Sequence, residues 1–326
     1  MAEPQRILVI GLSNIGDAIL MSPVIQRLHH RFPEARLTLL VGERAQPLFD
    51  QDPRVHELWC SDDFRGPLGR LKLAGRVRAL RPDLLIDLRQ TLLPLVWKPW
   101  RALRYARRPP TTILHKRQQH LWRLACQSGQ SPAGDDGLSW QPSLWISTQE
   151  RDYVAGLLQR WSIQPELPIV IICPGARSHI KRWPAERFAQ VADRLIEEQR
   201  VEVLFSGEPD EGPIIKEILA AMRQRGHSAV GSVTIRQLGA LMEHARLVIT
   251  NDSASLHMAC AVGVPVLAIF GPTDERKYGP TGPQDRVVRR RLFCAPCEQA
   301  LCRFSHECMR FIPAEEVYAA AVELLR

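Results

Sequence analysis

Residues 246–271 read RLVITNDSASLHMACAVGVPVLAIFG. The run from Arg246 to Asp252 is apolar and rich in branched residues, as a buried strand requires. Ala254 to Gly263 follows as a short helix of small and apolar residues. Gly263 closes it, and Pro265 bars its continuation. Val264 to Gly271 is a second apolar strand. A helix set between two strands is the crossover that joins parallel neighbours. Strands this continuously apolar are covered on both faces.

The same alternation runs through the chain. RILVIGL (6–12), LTLLVG (37–42) and DLLIDLR (83–89) read as strands, and PVIQRLHHRF (23–32) as an amphipathic helix. A turn-rich segment, SGQSPAGDDG (128–137), begins the approach to a boundary over 128–165. The pattern then restarts with strand LPIVIICPG (167–175), helix AERFAQVADRLIEEQ (185–199) and strand VEVLFSG (201–207). This predicts an α/β protein of two Rossmann-like domains, 1–160 and 161–326. Ligands of such sheets bind beyond the carboxyl ends of the strands. The loops to inspect are therefore 11–17, 173–183, 206–211, 250–257 and 271–275.

The bulk numbers agree. A chain of 326 residues suggests about two domains, and 45% hydrophobic with 24% charged residues is a globular composition. No apolar run reaches the length of a membrane span. The N-terminus reads as a strand, without the apolar core of a signal peptide, so a cytoplasmic location is expected.

The charge is uneven. Between Asp87 and Asp135 no acidic residue occurs, while nine Lys and Arg do, which exceeds the net charge of +8 of the whole chain. Arg107, Arg108, Lys116 and Arg117 belong to this stretch, with Trp97, Trp100, Tyr105 and Trp122 interleaved. Such a segment is either a solvated basic face or a seat for polyanions such as lipid headgroups.

The loops carry the chemistry. GLSNIG (11–16) lacks the middle glycine of the dinucleotide fingerprint and the GK[ST] ending of a P-loop. Asp17 would also repel a phosphate held at the following helix start. In CPGARSHIKRWP (173–184), Arg177 and Lys181 follow a strand, and Lys181 there is either a surface lysine or a point charge for a diphosphate. In TNDSASLHMA (250–259), Asp252 is an N-cap or a ligand contact, and His257 a core histidine or a ligand contact. The backbone N–H groups of Ser253, Ala254 and Ser255 open a helix whose first turn suits an anion.

Taken together, ILVIGLSNIGDAILMSPVIQRL (7–28), ICPGARSHIKRWPAERFAQVADRL (172–195), VLFSGEPDE (203–211) and VITNDSASLHMACAVGVPVLAIFGPTD (248–274) resemble the ADP-heptose:lipopolysaccharide heptosyltransferases, glycosyltransferase family 9. The resemblance covers nearly the whole chain in the expected order. It implies a GT-B fold with two parallel sheets facing a central cleft, acceptor bound by the N-terminal domain and sugar nucleotide by the C-terminal one. It implies inverting transfer of heptose from ADP-L-glycero-D-manno-heptose to a Kdo or heptose of the inner core. By the same resemblance Asp17 is the general base, Lys181 holds donor phosphate, and Asp252 binds heptose hydroxyls. The helix start at 253–257 receives the diphosphate. Gly207, Glu211 and Val233 are candidates for the adenosine end. Ser13, Asn14, Arg107, Arg108, Lys116, Arg117 and His120 are candidates for the acceptor. No cofactor is expected for catalysis. The partners expected are the nucleotide sugar, a lipopolysaccharide acceptor and the anionic inner face of the inner membrane, where the protein would sit peripherally; no nucleic acid is expected. Another nucleotide sugar, or a non-catalytic role in binding nucleotides or anionic glycolipids, is the alternative.

Cys294, Cys297, Cys302 and Cys308 form a late C-x2-C-x4-C-x5-C cluster. Four thiolates so close in sequence suit a structural zinc ion, a packed loop of reduced thiols or a redox group.

Overall fold

The computed structural model describes residues 3–98, 100, 102–129 and 141–326. The turn-rich segment expected ahead of the boundary falls mostly outside them. The chain divides into two compact units, Met1–Trp145 and Ile146–Arg326.

In the N-terminal unit the strands are β1 (Arg6–Ile10), β2 (Arg36–Val41), β3 (Glu57–Cys60) and β4 (Leu84–Asp87), in the order β3-β2-β1-β4. All neighbours are parallel. Because strand side chains alternate, Leu8, Ile10, Leu40 and Leu85 share one face. There they pack with helices α2 (Gly66–Leu80), α3 (Leu93–Trp97) and α4 (Ala102–Tyr105), through Val77, Leu93 and Tyr105. Helices α1 (Ile15–Arg31) and α5 (Lys116–Ser128) pack on each other, and α5 also against β4. Burial of each such aliphatic side chain is worth about 1.5–3 kcal/mol.

Helix α1 begins at Ile15, well ahead of the 23–32 helix read from sequence, and runs through Pro23. Proline has no N–H to offer the carbonyl four residues back. Here Ser22 Oγ donates to Ile19 O at 2.7 Å and satisfies that carbonyl instead.

The C-terminal unit opens with α6 (Thr148–Arg160), followed by β5 (Ile169–Cys173), α7 (Ala185–Gln199), β6 (Glu202–Phe205), α8 (Gly212–Ala221), β7 (His227–Ser228) and α9 (Ile235–Glu243). Then come β8 (Ala245–Asn251), α10 (Ala254–Val262), β9 (Val266–Phe270), α11 (Glu275–Tyr278), β10 (Arg286–Arg289), α12 (Glu307–Arg310) and α13 (Ala314–Leu325). The six strands lie in the order β10-β9-β8-β5-β6-β7, all parallel. The β8-α10-β9 crossover is the one read from 246–271, with Gly263 in the left-handed conformation its C-cap needs (φ 78°).

The division at 145/146 lies upstream of the expected 160/161. The cause is α6, which a Ser147–Glu150 capping box starts and which binds the C-terminal unit. Arg236 Nε donates to Glu150 Oε1 at 2.6 Å, and Tyr153 Oη to Ser232 O at 2.8 Å. A helix preceding the first strand leaves no mark in a strand-by-strand reading, in which the pattern restarts only at β5.

Candidate functional site

The first loop is shaped by close packing. Gly11 faces Met21, whose Cε would sit 2.5 Å from any added Cβ. Leu12 N donates to Met21 Sδ at 3.4 Å. Ser13 is pressed against Gly42 at the end of β2, where a Cβ would lie 2.4 Å from that of Ser13. The chain therefore reaches α1 by one route, which sets Asp17 on the first helical turn, partly exposed. Asn14 Nδ2 donates to Asp17 Oδ2 at 3.2 Å. Asp17 does not cap the helix, because the N-cap residue is Asn14.

A residue that sequence reasoning passed over lies beside this loop. Asp87 ends β4 in register with Ile10, the last residue of β1. Its carboxylate is fully buried and accepts from Thr91 N at 2.6 Å, Thr91 Oγ1 at 2.8 Å and Arg89 N at 2.9 Å. Burial pushes its pKa up, against the pull of these hydrogen bonds. Asp87 thus fixes the 88–91 turn at the same edge as the first loop. An acid closing an otherwise apolar strand was the available signal.

The acceptor candidates separate. His120 is buried on α5, and burial, with neighbouring Arg123, Lys116 and His115, drives its pKa down to about 3. It is neutral at physiological pH. Arg117 is buried and donates to Gln141 Oε1, and Lys116 Nζ donates to Gln119 Oε1 at 3.2 Å. Arg107 and Arg108 are exposed between α4 and α5.

In the C-terminal unit the loops after β5, β6 and β8 converge. Lys181 Nζ lies 2.6 Å from Asp252 Oδ2, with the lysine side chain 31% exposed and the aspartate 7%. Asn251, missed in the sequence, ties their loops together: its Oδ1 accepts from Trp183 N at 3.2 Å, and its Nδ2 donates to Pro174 O at 2.6 Å. Ser253 is the N-cap of α10 but makes no side-chain cap, because its hydroxyl meets Thr250 Oγ1 at 3.2 Å. The first turn of α10, with Ala254 and Ser255, is left open to an anion. His257 is buried on the same helix, and Arg177 is exposed at the loop tip.

Glu211 enters from the β6 loop. Its Oε2 accepts from Glu208 N at 2.9 Å. Its carboxylate fills the space that a side chain on Gly175 or Gly207 would need: a Cβ at Gly175 would sit 1.9 Å from Glu211 Cδ. Burial raises its pKa. Val233 is half-buried just before the capping residue of α9, Thr234.

The four late cysteines line one cavity of about 260 Å³ together with Ile180, the neighbour of Lys181, and Pro272. Cys302 Sγ accepts from Phe304 N and His306 N, each at 3.3 Å. Thiolate chemistry would suit zinc. As arranged, however, no group of three or more His, Cys, Asp or Glu among the described residues is gathered to hold a metal ion.

The sequence profile of glycosyltransferase family 9 (heptosyltransferase) matches residues 132–307. Lipopolysaccharide heptosyltransferase 2 of Escherichia coli K12 is 28% identical over 87% of this chain and 88% of its own. Lipopolysaccharide heptosyltransferase 3 of Escherichia coli is 28% identical over 81% and 83%. Among solved structures, a family 9 glycosyltransferase from Veillonella parvula superposes with TM-score 0.80 at 22% identity, over 98% of this chain and 97% of that one. The ADP-heptose heptosyltransferase II of E. coli does so with TM-score 0.77 at 24% identity, over 98% of both. The chain is a glycosyltransferase, and it belongs to glycosyltransferase family 9 (heptosyltransferase).

Proposed function

We propose that this enzyme transfers heptose from ADP-L-glycero-D-manno-heptose, with inversion, to a Kdo or heptose of the lipopolysaccharide inner core, and that Asp17 is its general base. The observation that carries the donor half is the Lys181–Asp252 pair beside the uncapped start of α10. Lys181 and the free N–H groups stabilise the charge that develops on the departing ADP, without reorganising as it develops. Asp252 accepts from the sugar hydroxyls. Arg177 supplies a second cation, Gly207 and Glu211 meet the ribose, and Val233 lies against the base.

The acceptor half follows from Asp17. As the bond between the anomeric carbon and the acceptor oxygen forms, the bond to the ADP oxygen breaks. The hydroxyl proton passes to the Asp17 carboxylate. Ser13 and Asn14 frame that carboxylate, and the neutral His120 is fitted to a hydrogen-bonding role. Arg107, Arg108, Lys116 and Arg117 meet the anionic groups of an inner-core acceptor. The enzyme then works at the cytoplasmic face of the inner membrane, as a peripheral protein. No helix among the described residues is long and apolar enough to cross a membrane.

The test is thermal stabilisation by ADP-heptose, ADP, UDP and GDP at equal concentration, followed by a transfer assay on Kdo-lipid A. Binding to the folded state raises the melting temperature according to RT ln(1 + [L]/Kd). Selective stabilisation by ADP, and more by ADP-heptose, is the expected result. A preference for UDP or GDP overturns the donor assignment.

A further inference from the structure

Of the eleven large hydrophobic side chains exposed among the described residues, six fall between residues 68 and 103. They are Leu68, Leu71, Leu92, Leu95, Trp100 and Leu103, and Leu68 and Leu103 are each 83% exposed. A concentration of this kind marks an interaction surface.

The helices that carry them are already anchored by other residues. In α2, Leu73, Val77 and Leu80 point to the core, whereas Leu68, Leu71, Gly75 and Arg78 recur on the opposite side of the helix. In α3, Leu93 and Trp97 pack inward, and Trp97 Nε1 donates to Pro82 O at 2.9 Å. Leu92 and Leu95 are left outside. In α4, Tyr105 is buried with its hydroxyl on Leu85 O at 2.7 Å, and Leu103 is left outside. Helix α2 touches α3, and α3 touches α4. The exposed leucines are therefore surplus to folding.

The charge around them is mainly positive, although Arg76 of α2 pairs with the exposed Glu57 at 2.9 Å and Asp62 and Asp63 lie just ahead of the helix. Arg70, Lys72 and Arg78 are exposed on α2, and Arg104 follows Leu103. Between Arg65 and Arg108 the only acids are Asp83 and Asp87. Asp83 accepts from Gln5 N and Arg6 N, each at 2.9 Å, and Asp87 is buried. Asp87 is withdrawn from the surface, and the single exposed Asp83 leaves the face net positive. A second copy of this face would bring like charges together, which disfavours a symmetric dimer here. An anionic surface complements it.

We infer that α2, α3 and α4 form a membrane-docking face. Leu68, Leu71, Leu92, Leu95, Trp100 and Leu103 enter the interfacial layer of an anionic bilayer, while the flanking Arg and Lys engage headgroup phosphates. Apolar insertion and basic attraction together give the two signals that stable peripheral attachment takes. The inference deepens the proposed function and rests on it only for the choice of membrane. It extends beyond the acidic-free stretch to α2, and it adds an apolar component that salt does not screen.

The test is sedimentation of the full chain with phosphatidylcholine vesicles, with and without phosphatidylglycerol, at low and high salt. The expected result is strong binding to anionic vesicles at low salt, with a reduced remainder at high salt. The Leu68→Ser/Leu71→Ser/Leu103→Ser variant should lose that remainder and bind about tenfold or more weakly at low salt, since each side chain gives up several buried CH2 groups. Lys72→Ser/Arg78→Ser should lose mainly the salt-sensitive part. Equal binding by the leucine variant and the parent, or no binding by the parent to anionic vesicles at low salt, overturns the docking face. So does a leucine variant that changes only the oligomeric state. Thermal stabilisation by ADP-heptose is read on the same samples. It reports the donor site independently, so either reading can fail while the other stands.

Discussion

The Lys181 ammonium lies 2.6 Å from Asp252 Oδ2 and joins the loop after β5 to the start of α10. The aspartate is buried and the lysine partly open. The pair therefore holds a cation at the site edge, pointed by a carboxylate that water reaches poorly. Lys181→Met removes the charge and leaves Asp252 buried without its partner. We expect kcat/KM for the nucleotide sugar to fall about 100-fold, or about 2.7 kcal/mol of transition-state stabilisation. Stability should fall by about 1–3 kcal/mol, the cost of stranding a buried acceptor. Urea unfolding and steady-state kinetics check the two effects separately. Lys181→Arg keeps the charge and should recover stability more fully than activity, because the guanidinium fork does not reproduce a point charge.

Asp17→Asn tests the proposed base. Asparagine can still accept from Asn14 Nδ2, so the loop geometry seen at 3.2 Å should persist. It cannot take a proton from the acceptor hydroxyl. Turnover should fall by about 10²–10⁴ with ADP-heptose binding unchanged. Calorimetric binding alongside a transfer assay reads both. Unchanged turnover would remove Asp17 from the chemistry.

Much of this was readable in the sequence, for identifiable reasons. The β8-α10-β9 crossover was legible because strand, helix, glycine cap and proline all agree within one short stretch. Asp17 and Asp252 stood out as acids where a helix opens or a strand ends, Lys181 as a cation in a strand-to-helix loop, and the resemblance singled out all three as candidates. What stayed hidden depends on long-range pairing. Asn251 looks like any turn residue until its amide is seen bridging Trp183 and Pro174. Asp87 looked like the edge of a charge pattern until β4 paired beside β1. Arg117 counted as a surface cation by composition, yet it is buried against Gln141. Helix α2 escaped because its outward residues are apolar, so it lacks a clean amphipathic period.

Gly175 and Glu211 give a prediction that isolates one contact. Gly175→Ala places a methyl 1.9 Å from Glu211 Cδ, so the carboxylate must leave its seat between Gly175 and Gly207. Affinity for ADP should drop at least tenfold, about 1.4 kcal/mol. In the Gly175→Ala/Glu211→Ala double variant the clash is gone, and the two losses should not add. Additive losses measured by ADP titration would show that Glu211 and Gly175 act independently.

His120 supplies the pH prediction. Burial, reinforced by the cations around it, holds its pKa at about 3, against 6.5 for an ordinary histidine. Below 6.5 the unfolded chain takes up a proton that the folded chain refuses until about pH 3. The group's contribution to stability is therefore complete above pH 6.5 and is lost as the pH falls through that window. The loss approaches about 1.4 kcal/mol per pH unit within it. Among the described residues the Nδ1 atom is buried without a hydrogen-bond partner, so charging the ring gains nothing at that atom. His120→Leu removes the titration and the orphaned nitrogen together. Its unfolding free energy, from urea denaturation at several pH values between 4 and 7, should vary less steeply with pH than the parent's by about that slope. Parallel curves for the two proteins would mean that the ring is reached by solvent in the folded state and titrates there as an ordinary histidine.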